Sequence, residues 1–443
     1  MKINTKNNSV HLTHEGGQAR RITVEQQLER SVMSCMLFEN ENYENGQEIS
    51  DRILDLAAAC KTKFVADLAV KCRTKFNIRH APLLLLTSLI KRGGKEVGDA
   101  IYNTIGRADE MAELIAMYWK YNPDKGLTKQ MKLGISRAFG EFNQYQLAKY
   151  DRKDAQVKLR DVLFLTHPNP NKEKWNVKER EELYKLIANN QLPPPNTWES
   201  RLTAGENKKD VFTDLLSTKK LGYMALLRNL RGMNEAGVDH SLIKDSILNG
   251  ERQNVLPYRF IAAARHAPMF ERELDAAMVK SMAFLDQLEG NNVVLVDVSG
   301  SMEDRLSGKS DLTRLDAGCG LAILLSGMCK NLRVFTFSND LVEVPARQGM
   351  ALADSINRSQ RHASTKLKLA LTELNSKVNY DRIIVITDEQ SSDGIINPKG
   401  KGYVINVASA RNGVGYGKWV HIDGFSEAVV NYIRQLEESN FAD

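Results

Sequence analysis

The hydrophobic rhythm of this chain changes once, near residue 290, and that change limits the fold more than any other feature. Before it, apolar residues recur at helical spacing. In KTKFVADLAVKCRTKF, Phe64, Leu68, Cys72 and Phe76 fall every four residues with charges between them. Met111, Leu114, Ile115 and Tyr118 make the stripe of another amphipathic helix. Comparable segments are 23–38, 47–60, 82–92, 126–142, 178–189, 210–217 and 257–265. Breakers stand between them at Gly93-Gly94, at His167-Pro168-Asn169-Pro170 and at Pro193-Pro194-Pro195. Short helices with short connections predict stacked pairs, an α-solenoid of HEAT type.

After residue 290 the strand-like runs NNVVLVDV, LRVFTF, DRIIVIT, GYVINVA and WVHI alternate with helical segments at 313–330, 365–376 and 424–438. That alternation predicts a doubly wound parallel α/β domain. The expected architecture is therefore α plus α/β, with domains at 1–288 and 289–443. A length of 443 residues suits two cores.

The first strand of the second domain ends unusually. VVLVDVSGSM delivers Asp297, Ser299 and Ser301 at alternate positions, whereas a plain strand-to-helix turn needs one capping residue. A second strand, RIIVIT, closes on Asp388, and HASTKLKLAL starts a helix at Thr365. In doubly wound sheets ligands bind beyond the carboxyl ends of the strands. Two carboxylates and three hydroxyls meeting there are hard oxygen ligands, suited to Mg²⁺ or another small divalent cation. Asp388 would contact the ion directly or through a water. The competing reading makes Ser299 or Ser301 a helix cap and Asp388 a buried turn former.

A phosphatase of the haloacid-dehalogenase type needs a general acid two residues after its nucleophilic Asp. Ser299 occupies that position and cannot do this at neutral pH. No G-x-S-x-G elbow occurs at this loop. The site reads as binding rather than turnover, and the chain as no enzyme.

Charge narrows the partner class. The net charge is +6, but residues 61–160 hold 20 basic against 10 acidic side chains, while residues 291–443 hold 17 against 18. A helical domain with its positive charge gathered in one third is a candidate polyanion binder, and a Lys-rich solvated face is the plain alternative. Tyr145 and Tyr150, interleaved with Lys149 and Arg152, are the better stacking candidates. Tyr118 lies on the apolar stripe and reads as core. The odd set of cysteines without a C-x-x-C pair fits free thiols in a reducing compartment. The N-terminus lacks a signal-peptide core, and the longest greasy run, residues 81–90, is half a membrane span. A cytoplasmic protein without membrane attachment is expected.

Two resemblances sharpen this reading. Asp297-Val298-Ser299-Gly300-Ser301, then Thr365, then Asp388, resembles the metal-ion-dependent adhesion site (MIDAS) of von Willebrand factor A (vWA) domains. Ala363-Ser364 stands where relatives usually have two glycines. LGISRAFGEFNQYQLAKYDRKDAQVKLRDVLFLTHPNP (133–170), MALLRNLRGM (224–233) and VLPYRFIAAAR (255–265) resemble the TROVE module of the Ro family.

The resemblance implies a helical ring bridged by the vWA module. It implies Y or Y-like small RNA on a basic outer surface, and single-stranded 3′ ends of misfolded noncoding RNA in a central hole. RNA quality control and ribonucleoprotein assembly follow, with an exoribonuclease tethered through the RNA in bacterial relatives. Carried onto this chain, the Y-RNA surface involves Lys149, Arg152 or Lys153, and His167. Arg137, Lys158 and Arg160 join them because they lie in the same basic segment. A monomer is expected. The alternative is a HEAT-like protein-interaction scaffold whose metal site grips a partner's carboxylate, with no RNA.

Overall fold

The computed structural model describes residues 12–13, 16–17, 23–34, 37, 45–151, 154–171, 175–251, 255, 257–282, 287–306, 311–408, 413–415, 417–424, 433 and 437. Its first helices are α1 (Val24–Ser34), α2 (Gly46–Ala59), α3 (Thr62–Thr74), α4 (His80–Arg92), α5 (Glu96–Thr104) and α6 (Ala108–Tyr121). Then come α7 (Lys129–Phe139), α8 (Gln144–Lys149), α9 (Leu159–Thr166), α10 (Val177–Ala188), α11 (Trp198–Thr203) and α12 (Lys208–Ser217). The helices α13 (Tyr223–Glu235), α14 (His240–Asn249), α15 (Pro257–His266) and α16 (Glu271–Met282) lead to the sheet. It comprises β1 (Asn292–Asp297), α17 (Arg314–Met328), β2 (Leu332–Phe337), β3 (Leu341–Val344), α18 (Gly349–Asn357), α19 (Leu367–Lys377), β4 (Arg382–Thr387), β5 (Lys401–Asn406) and β6 (Val420–Asp423).

Two compact units result, Gln47–Val211 and a second made of Met1–Gly46 with Phe212–Asp443. In the first, helices pack against near neighbours in sequence, α3 on α4 and α5, α5 on α7, α6 on α8 and α9, α9 on α10. This is the stacked-pair arrangement that the periodicity predicts. The short α5 was not among the expected segments because Gly98 interrupts its pattern. That glycine has a packing reason: a Cβ at Gly134 on α7 would sit 2.6 Å from the Gly98 carbonyl oxygen, so the two helices touch backbone to backbone.

In the second unit the sheet runs β3-β2-β1-β4-β5-β6. Strands β1 and β4 are buried at every position, as near-continuous Val and Ile runs require when both faces are covered. On one face Leu367, Leu371 and Leu374 of α19 pack on Val293, Leu295, Ile383 and Val385. On the other, Gly318 of α17 lies against Val296 and Ile386.

The sheet is doubly wound and mostly parallel, as expected, with one antiparallel strand at its edge. β3 runs antiparallel to β2 at the edge, because only Ser338–Asp340 separate them and a parallel return needs a crossover of a dozen residues or more.

The second unit takes in more than the sheet. Helices α13–α16 belong to it, and a Cβ at Gly320 or Gly327 of α17 would strike Tyr258 or Met282. The expected helix at 424–438 lies mostly outside the described residues. Among the described residues no helix is long and apolar enough to cross a membrane.

Candidate functional site

β1 and β4 are neighbours in the sheet, and the chain moves outward from them in opposite directions. They flank the topological switch point, where a doubly wound sheet opens a crevice beyond its carboxyl edge. Asp297 ends β1 there, fully buried, and Ser299 donates its backbone N–H to Asp297 Oδ1 at 2.9 Å. The Ser299 and Ser301 hydroxyl oxygens stand 3.4 Å apart. Thr387, the last residue of β4, donates its hydroxyl to Asp297 Oδ2 at 2.6 Å. Asp388 follows, also fully buried, with the Gln390 N–H on Oδ1 at 3.2 Å.

The Thr365 loop is tied to both. Gly300 N–H donates to the Ala363 carbonyl at 3.0 Å, and Ser392 N–H donates to the Thr365 carbonyl at 2.9 Å. Ser338, just past β2, holds Ala363 and Ser364 through its hydroxyl. Serine thus supplies part of the support for a segment that has Ala363-Ser364 in place of the glycine pair. Thr365 itself is 2% exposed.

Electrostatically this edge is under tension. Burial first, and the neighbouring Asp388 carboxylate second, push the Asp297 carboxyl above the usual carboxylate range. One cation offsets part of the load, and sequence reasoning missed it. The Arg314 guanidinium lies 3.4 Å from Asp388 Oδ2, 3.3 Å from the Ser301 carbonyl and 3.8 Å from Asp304. It is buried because a capping box starts α17 there. Asp316 N–H donates to Thr313 Oγ1 and Thr313 N–H to Asp316 Oδ2. T-x-x-D at 313–316 was the available signal for the helix start, though not for where Arg314 would reach. Among the described residues no group of three or more His, Cys, Asp or Glu side chains could hold a metal, so any ion here relies on hydroxyls and two carboxylates.

One residue further on lies a second buried cluster, absent from the sequence reading. Glu389, at φ +61°, pairs with Arg30 of α1 at 2.5 Å and with His421 Nε2 of β6 at 2.6 Å. His421 Nδ1 stands 3.2 Å from Asp423, which accepts from Asn406 Nδ2 at 2.6 Å. Burial alone would raise the Glu389 pKa, but His421 and Arg30 outweigh it and pull the pKa to about 2. Burial alone would lower that of His421, but Asp423 and Glu389 raise it to about 9. Gly413 and Gly415 leave room for this set: a Cβ on either would fall within 2.3 Å of the Glu389 carboxylate.

The basic residues sit in the first unit. Lys149 ends α8, exposed, 5.9 Å from the Tyr145 ring centroid and 5.7 Å from that of Tyr150. Arg160, exposed on α9, lies 5.5 Å from the ring of Phe164, which is itself 51% exposed. Lys158 precedes α9 and His167 ends it, both exposed, with His167 in the left-handed region at φ +48°. Arg137 differs from the rest: it pairs with Asp99 and stacks 4.2 Å from the Tyr102 ring. Arg152 and Lys153 lie outside the described residues. Tyr118 is buried, as its stripe predicted. Cys60, Cys72, Cys319 and Cys329 are buried free thiols.

Helical repeats and a sheet carrying adhesion-type loops define a two-part class, and comparison with known proteins resolves it. Residues 189–293 match the TROVE domain, and residues 292–400 match the Ro60 vWA domain. Residues 189–400 thus carry a TROVE domain followed by a Ro60-type vWA domain. Among solved structures, the crystal structure of the Deinococcus radiodurans Ro (Rsr) protein is similar in fold, with a TM-score of 0.61 at 15% identity. The similarity covers 92% of this chain and 98% of that one. No curated protein matches the sequence.

Proposed function

We infer that this protein binds RNA through the basic, aromatic face of α8 and α9 and takes a divalent cation at the edge of its sheet. The observation that carries the RNA reading is the pairing of exposed cations with exposed rings, Lys149 by Tyr145 and Arg160 by Phe164, in the most basic part of a chain that carries a TROVE domain. Cations on phosphates supply affinity, and rings stack on unpaired bases. His167, held out by a left-handed turn, adds a donor at the end of the same face. The RNA class that fits is a small structured RNA of Y type. Single-stranded 3′ ends of misfolded noncoding RNA bind at a separate site, in a role of RNA quality control and ribonucleoprotein assembly. An exoribonuclease tethered through the RNA would be its partner.

The cation reading rests on the donor set. Asp297, Ser299, Ser301, Thr365 and Asp388 are all oxygen donors on loops bonded to one another, and the two buried carboxylates repel until a positive charge separates them. Mg²⁺ fits such a shell, keeping waters and one position open to an outside carboxylate or phosphate oxygen. Ser299 stands where a general acid would have to be, so neither phosphate esters nor RNA should be hydrolysed.

A salt titration tests the RNA reading. Binding of a small stem-loop RNA should weaken with a log–log slope of about −0.9 per phosphate contact on duplex regions. His167→Ser should weaken the stem-loop more than a single-stranded tail. RNA should co-purify at low salt, raising the absorbance at 260 nm over that at 280 nm. Protein that binds neither ligand at low salt would return the chain to the scaffold reading.

A further inference from the structure

The residue that opens α17 is one that a helix start disfavours. Arg314 directly follows the Thr313 cap, at the end where the helix dipole is positive, and its side chain is only 3% exposed. A helix start gains from a carboxylate, which Asp316 already supplies two residues on. A buried guanidinium is costly unless anions meet it. Capping therefore gives no reason for a cation here, and the reason lies in what it faces.

It faces the sheet edge that carries the candidate ligands. Arg314 Nη1 stands 3.3 Å from the Ser301 carbonyl oxygen, 3.4 Å from Asp388 Oδ2 and 3.8 Å from Asp304 Oδ2. The Arg314 backbone N–H donates to the Asp304 carbonyl at 3.0 Å, and the Asp304 N–H donates to the Ser301 carbonyl at 3.3 Å. The turn after Ser301 is thus fastened to the start of α17. One nitrogen stands among oxygens from both strand-end loops, the one after β1 and the one after β4. Those are the two loops that a divalent cation would join.

The contact with Asp388 is loose. A charge-assisted N–H to carboxylate bond runs to about 2.7–2.9 Å. Nearby, Arg265 meets Asp316 through two bonds of 3.0 and 2.7 Å. At 3.4 Å, Arg314 relieves the repulsion between Asp388 and Asp297 without gripping Asp388 as tightly.

We propose that Arg314 is the resident counter-cation of this site, doing for the empty site what a divalent ion does for the loaded one, so that guanidinium and ion compete. The proposal rests on the cation reading above. Its consequence is an exchangeable ion, because the two loops stay joined when the ion leaves. Removing Arg314 takes a repelling charge away from the ion. The hydrogen bonds lost with it belong to the loops, which the ion itself rejoins. Mg²⁺ should therefore bind more tightly without Arg314.

The test is calorimetric titration of Mg²⁺ into the full chain, with thermal melts in EDTA and in Mg²⁺, for wild type, Arg314→Gln and Arg314→Lys. In EDTA, Arg314→Gln should melt below wild type, and saturating Mg²⁺ should close most of that gap. Its Mg²⁺ affinity should rise by at least roughly tenfold, the low end of what one neighbouring charge does to a carboxylate's affinity for a proton. Arg314→Lys keeps the charge and should stay near wild type. A merely structural arginine would lower the melting temperature equally in both buffers and leave Mg²⁺ affinity unchanged or weaker, and that result overturns the proposal. So does an Arg314→Gln chain that fails to fold even in Mg²⁺, or equal tightening in both variants. In each of these cases wild type still binds Mg²⁺ and the cation reading stands. Wild type and both variants all indifferent to Mg²⁺ overturn the cation reading and the proposal with it.

Discussion

Asp388 and Glu389 are adjacent in sequence and both fully buried, yet their carboxylates meet opposite surroundings. Asp388 shares a pocket with Asp297, and one arginine, 3.4 Å away, offsets the pair. Glu389, turned to the other side by its positive φ, meets Arg30 and His421 at 2.5 and 2.6 Å. One carboxylate is left short of positive charge and the other faces two cations. The two are separated by a single peptide unit, so backbone strain at Glu389 is what lets one loop serve both. A matched buried cluster holds structure together, whereas an under-matched one is prepared for an ion from outside.

The largest effect should come from breaking the matched cluster. Arg30→Ala leaves Glu389 buried without its guanidinium and should cost about 3–5 kcal/mol in urea unfolding. A loss below about 1 kcal/mol would mean that α1 is not held to the sheet by this pair.

Next comes filling the under-matched one. Mg²⁺ at a hundredfold excess over its dissociation constant should stabilise the wild type by about 2.7 kcal/mol, and Asp297→Asn should remove that response. RNA affinity should be unaffected by Asp297→Asn, because the basic face lies in the other unit. A wild-type melting temperature indifferent to Mg²⁺ would remove the cation from the reading.

The matched cluster should also show in the pH profile of stability. His421 is raised from 6.5 to about 9, so its contribution is complete below about pH 6.5 and is lost as pH rises through 9. Glu389 is lowered from 4.5 to about 2, so its contribution is complete above about pH 4.5 and is lost as pH falls through 2. The cluster is strongest between these limits. His421→Gln should flatten the alkaline limb of the melting-temperature profile and leave the acid limb in place.

The smallest effect carries the same contrast to the helical surface. Arg137 is committed to Asp99, whereas Lys149 and Arg160 face solvent beside aromatic rings. Replacing Lys149 and Arg160 with Ala should make the salt slope of stem-loop binding shallower by about 0.9 per lost contact on duplex regions, and Arg137→Ala should leave it nearly unchanged. Equal slopes for both variants would erase the distinction between committed and exposed charge.

The adhesion-type loops were legible because each lies within a few residues of a strand that announces itself. Val293–Val296 and Ile383–Ile386 are unbroken β-branched and leucine runs, and the oxygen ligands follow them directly. Amphipathic stripes in α3 and α6 were equally plain, since a helix repeats its pattern within one turn. β3 was not legible: LVEV is four residues long and half-exposed, so neither a buried run nor an alternation stands out.

Charge partners across the chain were legible least. Arg30 lies more than 350 residues from Glu389, and nothing local to α1 distinguishes an arginine that meets buried carboxylates from one that meets water. The same holds for Arg314, whose helix start is written in Thr313 and Asp316 but whose reach to Asp388 is not. Periodicity, turn residues and strand-end oxygens depend on neighbours in sequence, so the chain alone determined its two architectures and the positions that could hold an ion. Which carboxylates are matched, and that α13–α16 join the sheet's unit, both depend on residues brought together from distant points. Their energies are set by burial and distance, and only the tertiary structure decided those.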